Sequence, residues 1–547
     1  MASFKASRIL MAGTACVLLA SCGGADNVAS PGAGSVVIVP PAAAPTATPT
    51  GTPTPSAITA AQFAAVTTVN GISITADEQL ALVTSGTNNN ASGTNNLNGV
   101  YPTSATSAVT ATDPSSINAF FTSTNFVGAL NGPTDTAFQD WTCNSTSAEF
   151  GGAGARCTAV PAVGTLATGQ ACPTGTITAT GAAGSATAAT VGGFKVCDIP
   201  QAITTSLTLP RIAGIAYRFT GQTEVGSDVG TTGANTGITL TIEAGVTVFA
   251  NANEATADLL LVNRGSRISA VGTRSAPIIF TSQQNMSANG VSDASQGQWG
   301  GIILLGRAPV AVCRTGTGPN NAGGTSPICE QAIEGVTNRF YGGPTAADSS
   351  GQMSYVQIRY SGIAISDGNE LQGLTLGGTG SATVIDHIQS HNSADDGVEI
   401  FGGTTNMKYF VVTGADDDGF DIDNGYRGFI QFMIAAQKAT GATADSFATE
   451  IDSNNAEDLL PRTYGQYANF TFVQTTPSVP AAIRLRGGAD MRFTNGIVKT
   501  PSGSACLNVV AGETSATDRS TIRPANSALQ DVGPPVFSSV YFACQGR

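Results

Sequence analysis

One stretch of this 547-residue chain occurs twice. SADDGVEIFGG begins at Ser393 and ADDDGFDIDNG at Ala415, so Asp396-Gly397 and Asp418-Gly419 stand 22 residues apart. One coil of a parallel β-helix takes roughly that many residues, and self-similarity at a fixed period marks a solenoid. Equivalent residues of neighbouring coils then stack about 4.8 Å apart. A side chain that recurs in sequence becomes a column in space, and here the recurring side chains are carboxylates.

The rest of the chain agrees with that period. From about residue 206, short β-rich runs recur between Gly, Asn and Asp turns: Leu240 to Phe249, Leu259 to Val262, Tyr355 to Tyr360, Val384 to Ile388, Tyr409 to Thr413 and Phe470 to Gln474 among them. No amphipathic helix of ten or more residues separates them, which argues against βαβ crossovers. A propeller would repeat at about 40 residues. The expected fold is all-β: a right-handed single-stranded parallel β-helix over 206–547, preceded by an irregular disulfide-containing region over 58–205 and a disordered tether.

The first residues read as an export signal. Lys5 and Arg8 precede the apolar run Ile9 to Leu19, which is too short to span a membrane. Leu19-Ala20-Ser21-Cys22 then resembles the lipobox of bacterial lipoproteins, which implies cleavage after residue 21 and lipidation of Cys22. Gly23 follows, rather than the aspartate that holds many such proteins at the inner membrane. The expected address is therefore the outer membrane, on its periplasmic or extracellular face, with the lipid as the only membrane contact. Residues 22–57 include PPAAAPTATPTGTPTPS and read as a tether. Ala60 to Val66 is a candidate short helix.

Ten cysteines are present. Cys16 leaves with the signal and Cys22 carries lipid, so eight remain. An even number in an exported chain reads as disulfides. Proximity favours Cys313–Cys329 and Cys506–Cys544, with Cys143, Cys157, Cys172 and Cys197 paired among themselves. The formal net charge is −13, from 24 Lys+Arg against 37 Asp+Glu. No basic stripe is available to neutralise phosphates, which excludes a nucleic-acid partner. The same balance suits divalent cations.

TLTIEAGVTVFA, LLVNRGSRISAVGTRSAPIIFTS, QWGGIILLGRAPV, YVQIRYSG, LQGLTLGGTGSATVIDHIQ and the two acidic repeats together resemble a group of bacterial surface lipoproteins with a right-handed parallel β-helix. The resemblance covers roughly residues 206 to 500. It implies a fold and an address, and it makes a cell-surface binding role or association with an outer-membrane transporter an expectation by analogy.

Aligned on their Gly-Gly or Asn-Gly ends, five turns fall in register, and strand alternation sends their middle residues outward. The outward column reads Thr375, Glu399, Asp421, Glu450, Arg484. A second column, two residues on, holds Asp423, Asp452 and Arg486. Stacked like charges on neighbouring strands are destabilising. Ca²⁺, which takes carboxylate and carbonyl oxygens, would offset this, with Asp395, Asp396, Glu399, Asp416, Asp417, Asp418, Asp421 and Asp423 as candidate ligands. The alternative is a solvated acid–arginine ladder in which Arg484, Arg486 and Arg427 neutralise Glu450, Asp452 and their neighbours. Catalytic use of Asp395, Asp396, Asp417 and Asp418 is a third possibility, because paired carboxyls serve glycoside hydrolysis.

The two histidines, His387 and His391, read as ordinary surface residues. Trp299 and Trp141 read as core, and Tyr355, Tyr360, Tyr409 and Phe410 as members of stacks. No GxxxxGK[ST], GxSxG or HExxH occurs, which argues against nucleotide, α/β-hydrolase and zincin chemistry. Three functions follow: a surface binding module presenting an acidic, Ca²⁺-loaded face to a glycan, an envelope polymer or a transporter; a polysaccharide hydrolase or lyase; and a purely structural surface protein.

Overall fold

A computed structural model describes residues 111–545 apart from 133, 163, 181–188, 251–256, 288–289, 316–325, 327, 367–368, 441, 445, 454–457, 477–478, 510–524 and 534. The signal segment, Cys22, the tether and the helix expected over Ala60 to Val66 lie outside the described residues. What is described is almost entirely β, and its strands pair in parallel between successive coils. Each coil contributes one short strand to a ten-stranded sheet. It then contributes a longer strand that bends round a corner. Leu374–Gly377, Val384–His391 and Val398–Phe401 follow one another in this way.

The corners explain the local sequence. At the bend of each long strand one residue adopts a positive φ: Tyr355 (52°), His387 (54°), Tyr409 (53°), Phe432 (62°), then Asn469 (52°) and Asn495 (55°). Bulky residues rarely take this conformation, whereas Asn tolerates it. The four rings offset the strain by stacking, with centroids 4.2, 4.3 and 4.6 Å apart from Tyr355 to Phe432. Offset aromatic stacks add about 0.5–1.5 kcal/mol per pair beyond burial. Leu240 to Phe249, expected as one strand, is broken into Thr239–Ile242 and Thr247–Ala250, because Gly245 turns the chain with φ 75°.

Inward residues form one continuous core. Leu376, Ile400, Ile422, Ile451 and Leu485 stack from one side and Phe410, Met433, Phe470 and Phe493 from others. Trp299 lies in this core and donates its indole N–H to the carbonyl of Arg359 at 2.8 Å. The first parallel rung, Phe194–Asp198, pairs with Ile215–Arg218. The coil therefore starts upstream of residue 206, since Cys197 already faces the apolar interior beside Leu209 and Tyr217.

Residues 111–160 form no regular sheet but run along the flank of the coil, against its direction. Side-chain amides hold their main chain. Asn495 brackets Thr112, Gln431 brackets Thr122, and Gln389 accepts from the N–H of Cys143 at 2.7 Å and donates to its carbonyl at 3.1 Å. Phe126, Phe138 and Trp141 of this strap pack on Phe432, Tyr409 and Tyr355. Among the described residues four disulfides pin the fold: Cys143–Cys157, Cys172–Cys197, Cys313–Cys329 and Cys506–Cys544.

The histidines correct the surface reading. His391 is fully buried, with Nδ1 2.8 Å from the Thr413 hydroxyl, and burial pushes its pKa down to about 3. His387 is sandwiched between Tyr355 and Tyr409, meets the edge of Trp141 and has Nδ1 2.7 Å from Asp386. Trp141 of the strap covers His387, and the strap's lack of periodicity hid that from the sequence.

Candidate carboxylate site

The outer face of the ten-stranded sheet carries a single column that changes character along the coil. Register places Glu224, Leu261, Ile303, Thr375, Glu399, Asp421, Glu450, Arg484 and Asn508 in succession. A parallel column runs Leu305, Gly377, Phe401, Asp423. Asp452 and Arg486 continue it, one residue past the ends of their strands Thr449–Ile451 and Ala481–Leu485. The chain thus lays an apolar stretch, an acidic stretch and a basic end on one surface.

That surface is covered, which overturns the picture of a solvated ladder. Between Ile302–Leu305 and Leu374–Gly377 the chain inserts two antiparallel hairpins. They pair Gln331–Ala332 with Phe340–Tyr341, and Ile363–Ser366 with Asn369–Leu371. This cap seats Ile333, Tyr341 and Leu371 on the apolar part of the columns, against Leu261, Ile303, Leu305 and Phe401. Its edge reaches Glu399, where Gln372 bridges it to Glu334. Glu399 is 2% exposed, Asp418 4% and Asp396 6%.

A second ladder holds the Asp-Gly repeats. Gly373, Gly397 and Gly419 occupy equivalent positions, where a Cβ on Gly397 would meet Val412 at 2.1 Å and the Gly419 carbonyl at 2.8 Å. The residues before them, Gln372, Asp396 and Asp418, are therefore equivalent too. Each accepts from the backbone N–H one rung on. The N–H of Asp396 donates to Gln372 Oε1 at 3.2 Å, that of Asp418 to Asp396 Oδ1 at 2.9 Å, and that of Phe447 to Asp418 Oδ1. One oxygen of each aspartate has this structural task.

The acids converge in two overlapping groups. Carboxylate oxygens of Asp395, Asp396 and Asp417 lie within 4.8 Å of one another, and so do those of Asp396, Glu399 and Asp421. Asp396 belongs to both. Gln372 Nε2 bridges Glu399 Oε2 at 2.7 Å and Glu334 Oε1 of the cap at 2.6 Å. Burial, and secondarily the neighbouring carboxylates, hold Asp395, Asp396, Glu399, Asp418, Asp421 and Asp423 well above the usual carboxylate range. Burial likewise pushes Glu334 up to about 7.

The cations sit at one end. Arg484 Nη1 lies 3.1 Å from Glu450, while Arg486 Nε lies 2.8 Å from Glu450 and 3.1 Å from Asp452. Burial opposes charge on Arg486, but the surrounding carboxylates outweigh it and raise its pKa. Asp416 is drawn away to Lys438 at 2.7 Å. Arg427 takes no part in the ladder. Beyond the corner at Asn424 and Gly425 it donates to the Arg462 carbonyl and to Gln530, and its guanidinium lies over Tyr464. Among the described residues no ion pair reaches Asp395, Asp396, Glu399 or Asp418.

The cap contributes Gln372 and Glu334 to the site. Gln372 was accessible, because Leu371-Gln372-Gly373 precedes its strand just as Asp395-Asp396-Gly397 precedes the next. Glu334 carries no periodic signal, being in an insertion.

A cluster of buried oxygens with no nitrogen or sulfur among its donors fits a hard divalent cation. Asp421 Oδ1 and Glu334 Oε2 are buried without a hydrogen-bond partner, which leaves donor positions for it. Fold and site together define a parallel β-helix protein with a buried carboxylate column on one face. The family model of the pectate-lyase-like β-helix domain matches residues 211–535, and the chain belongs to that family. No curated protein and no solved structure matches the chain.

Proposed function

We propose that this chain is a lipid-anchored, outer-membrane binding protein whose acidic column takes up Ca²⁺ and presents it to an envelope polymer, with an acidic glycan as the ligand class. The observation that carries the reading is the double convergence on Asp396: two carboxylate trios sharing one residue. Like charges a few ångströms apart in a water-poor site repel by several kcal/mol at an effective dielectric of about 20. A divalent ion offsets that repulsion, and an open position of its coordination shell would take a carboxylate oxygen of a uronate or similar anion. Membership of a pectate-lyase-like family supports a polysaccharide as partner. The anchor at Cys22 and the tether of residues 22–57 would hold the coil at the membrane while leaving it free to reach polymer or a neighbouring transporter.

The same family match favours a second reading, a polysaccharide lyase, in which Asp395, Asp396, Asp417 and Asp418 serve turnover. The two readings separate on incubation with acidic polysaccharides in Ca²⁺. The binding reading expects retention of polymer, lost on adding chelator, with no unsaturated ends released. Release of unsaturated product, abolished in a folded Asp396→Asn or Asp418→Asn variant, would replace it with the lyase.

A further inference from the structure

Residues 526–533 form a small loop that folds back on the coil just before its strand Val536–Ser538. Asn526 and Asp531 exchange backbone hydrogen bonds and close the loop on itself, around a single 3₁₀ turn at Ser527–Leu529. No side chain of 526–533 enters an apolar cluster, and Val532 is 49% exposed. Polar contacts therefore hold the loop down, and three coil side chains take part. Asp490 Oδ2 accepts the N–H of Val532 at 2.7 Å. The buried Arg462 donates Nε to the Leu529 carbonyl at 3.4 Å and lies 3.6 Å from Asp531. Arg427 donates to Gln530 Oε1 at 3.2 Å.

These contacts respond differently to pH. Arginines stay charged throughout the range in which carboxyls titrate. Asp490 is buried and, among the described residues, joins no ion pair. It faces Asp531 of the loop, which is buried as well. Arg462 serves Asp531 and also Asp458, at 2.9 Å, while Arg427 offsets part of the charge at Asp490 from a distance. Tyr464 pairs with Asp490 from the neighbouring coil, and Arg492 stands two residues on along the same strand. Burial first, and the Asp531 charge after it, push the Asp490 carboxyl up to about 8. An aspartate freed to solvent ionises near about 3.9. Docking thus favours the protonated acid. The contact is tightest below about pH 4, weakens as pH rises toward about 8 and is level above that.

We propose that Asp490 is a proton-controlled catch for the loop 526–533. Protonated, it holds the Val532 N–H and the loop lies on the coil. Ionised, it sets a second buried negative charge against Asp531, and the loop lifts. Lifting uncovers Asp490 and Arg462 and loosens the chain where it enters Val536–Ser538, at the end of the coil opposite its first rung. This end of the coil therefore tightens in acid and loosens toward alkaline pH, independently of the carboxylate column.

Hydrogen–deuterium exchange of the full chain, in chelator and corrected for intrinsic rate, tests this between about pH 5 and about pH 8.5. Residues 526–533 are expected to exchange roughly tenfold faster or more at the upper pH, with the interior strand Tyr464–Val473 unchanged. Asp490→Asn keeps an acceptor for the Val532 N–H and cannot ionise, so its loop stays protected at both values. Should that variant not fold, Asp531→Asn removes the facing charge and shrinks the pH response of the loop. Level protection of 526–533 in wild type across this range overturns the catch. So does a loop that follows the wild-type pH course in the folded variant, or a loss of protection that takes in Tyr464–Val473 equally.

Discussion

Arg486 concentrates the electrostatics of the site in one side chain. Its guanidinium touches Glu450 and Asp452, which are 7% and 5% exposed. Removing one partner of a buried ionic cluster leaves uncompensated charge and costs about 3–5 kcal/mol. Arg486→Met should therefore lower the urea midpoint by an amount of that order in chelator, and by less in Ca²⁺, if the cation occupies the same field. An equal loss under both conditions would separate the basic end of the column from the acidic cluster. At this scale the sequence was informative about which acids line up, because alternation in a strand fixes the outward set. It was silent about burial. Nothing in Glu399 or Asp421 themselves reveals that hairpins inserted on either side of the coil strand Gly351–Arg359 pack on this face.

Among the elements, the strap is the least expected. It lacks periodicity, and its partners are remote in sequence: 246 residues separate Cys143 from Gln389, and 383 separate Thr112 from Asn495. Amide side chains grip chiefly its backbone, with Thr124 the side chain they also hold, so no residue pattern in 111–160 advertises the docking. The physical consequence is measurable. Gln389→Ala leaves the buried N–H and carbonyl of Cys143 without partners, at a cost of about 1–3 kcal/mol each before water compensates. The expected outcome is a destabilised protein in which limited proteolysis cuts first within the strap. Unchanged resistance there would show that aromatic packing of Trp141 and Phe138 alone secures it. The coil, in contrast, was legible from Asp396-Gly397 and Asp418-Gly419. The glycine keeps adjacent coils in van der Waals contact and the aspartate accepts the next backbone N–H, so the repeat is a requirement of stacking before it is a requirement of any ligand.

For the molecule as a whole, stacking coils turns a local repeat into a continuous face whose chemistry varies along its length. Apolar Leu261 and Ile303 seat a cap, acidic Glu399 and Asp421 gather beneath its edge, and Arg484 closes the row. Membership of the pectate-lyase-like β-helix family accounts for the scaffold, while the cap with its Glu334 belongs to an insertion that the period does not describe. The account depends on that buried acid cluster holding a divalent cation. An ion that binds only the folded state adds about 2.7 kcal/mol of stability at a concentration one hundred times its dissociation constant. The most direct measurement is calorimetric titration of chelator-treated protein with Ca²⁺, beside an Asp396→Asn/Asp421→Asn variant. Saturable binding in wild type that raises the melting temperature, and is lost in the variant, is the predicted result. A flat titration with a melting temperature indifferent to chelator would contradict the cation site on which the binding function rests.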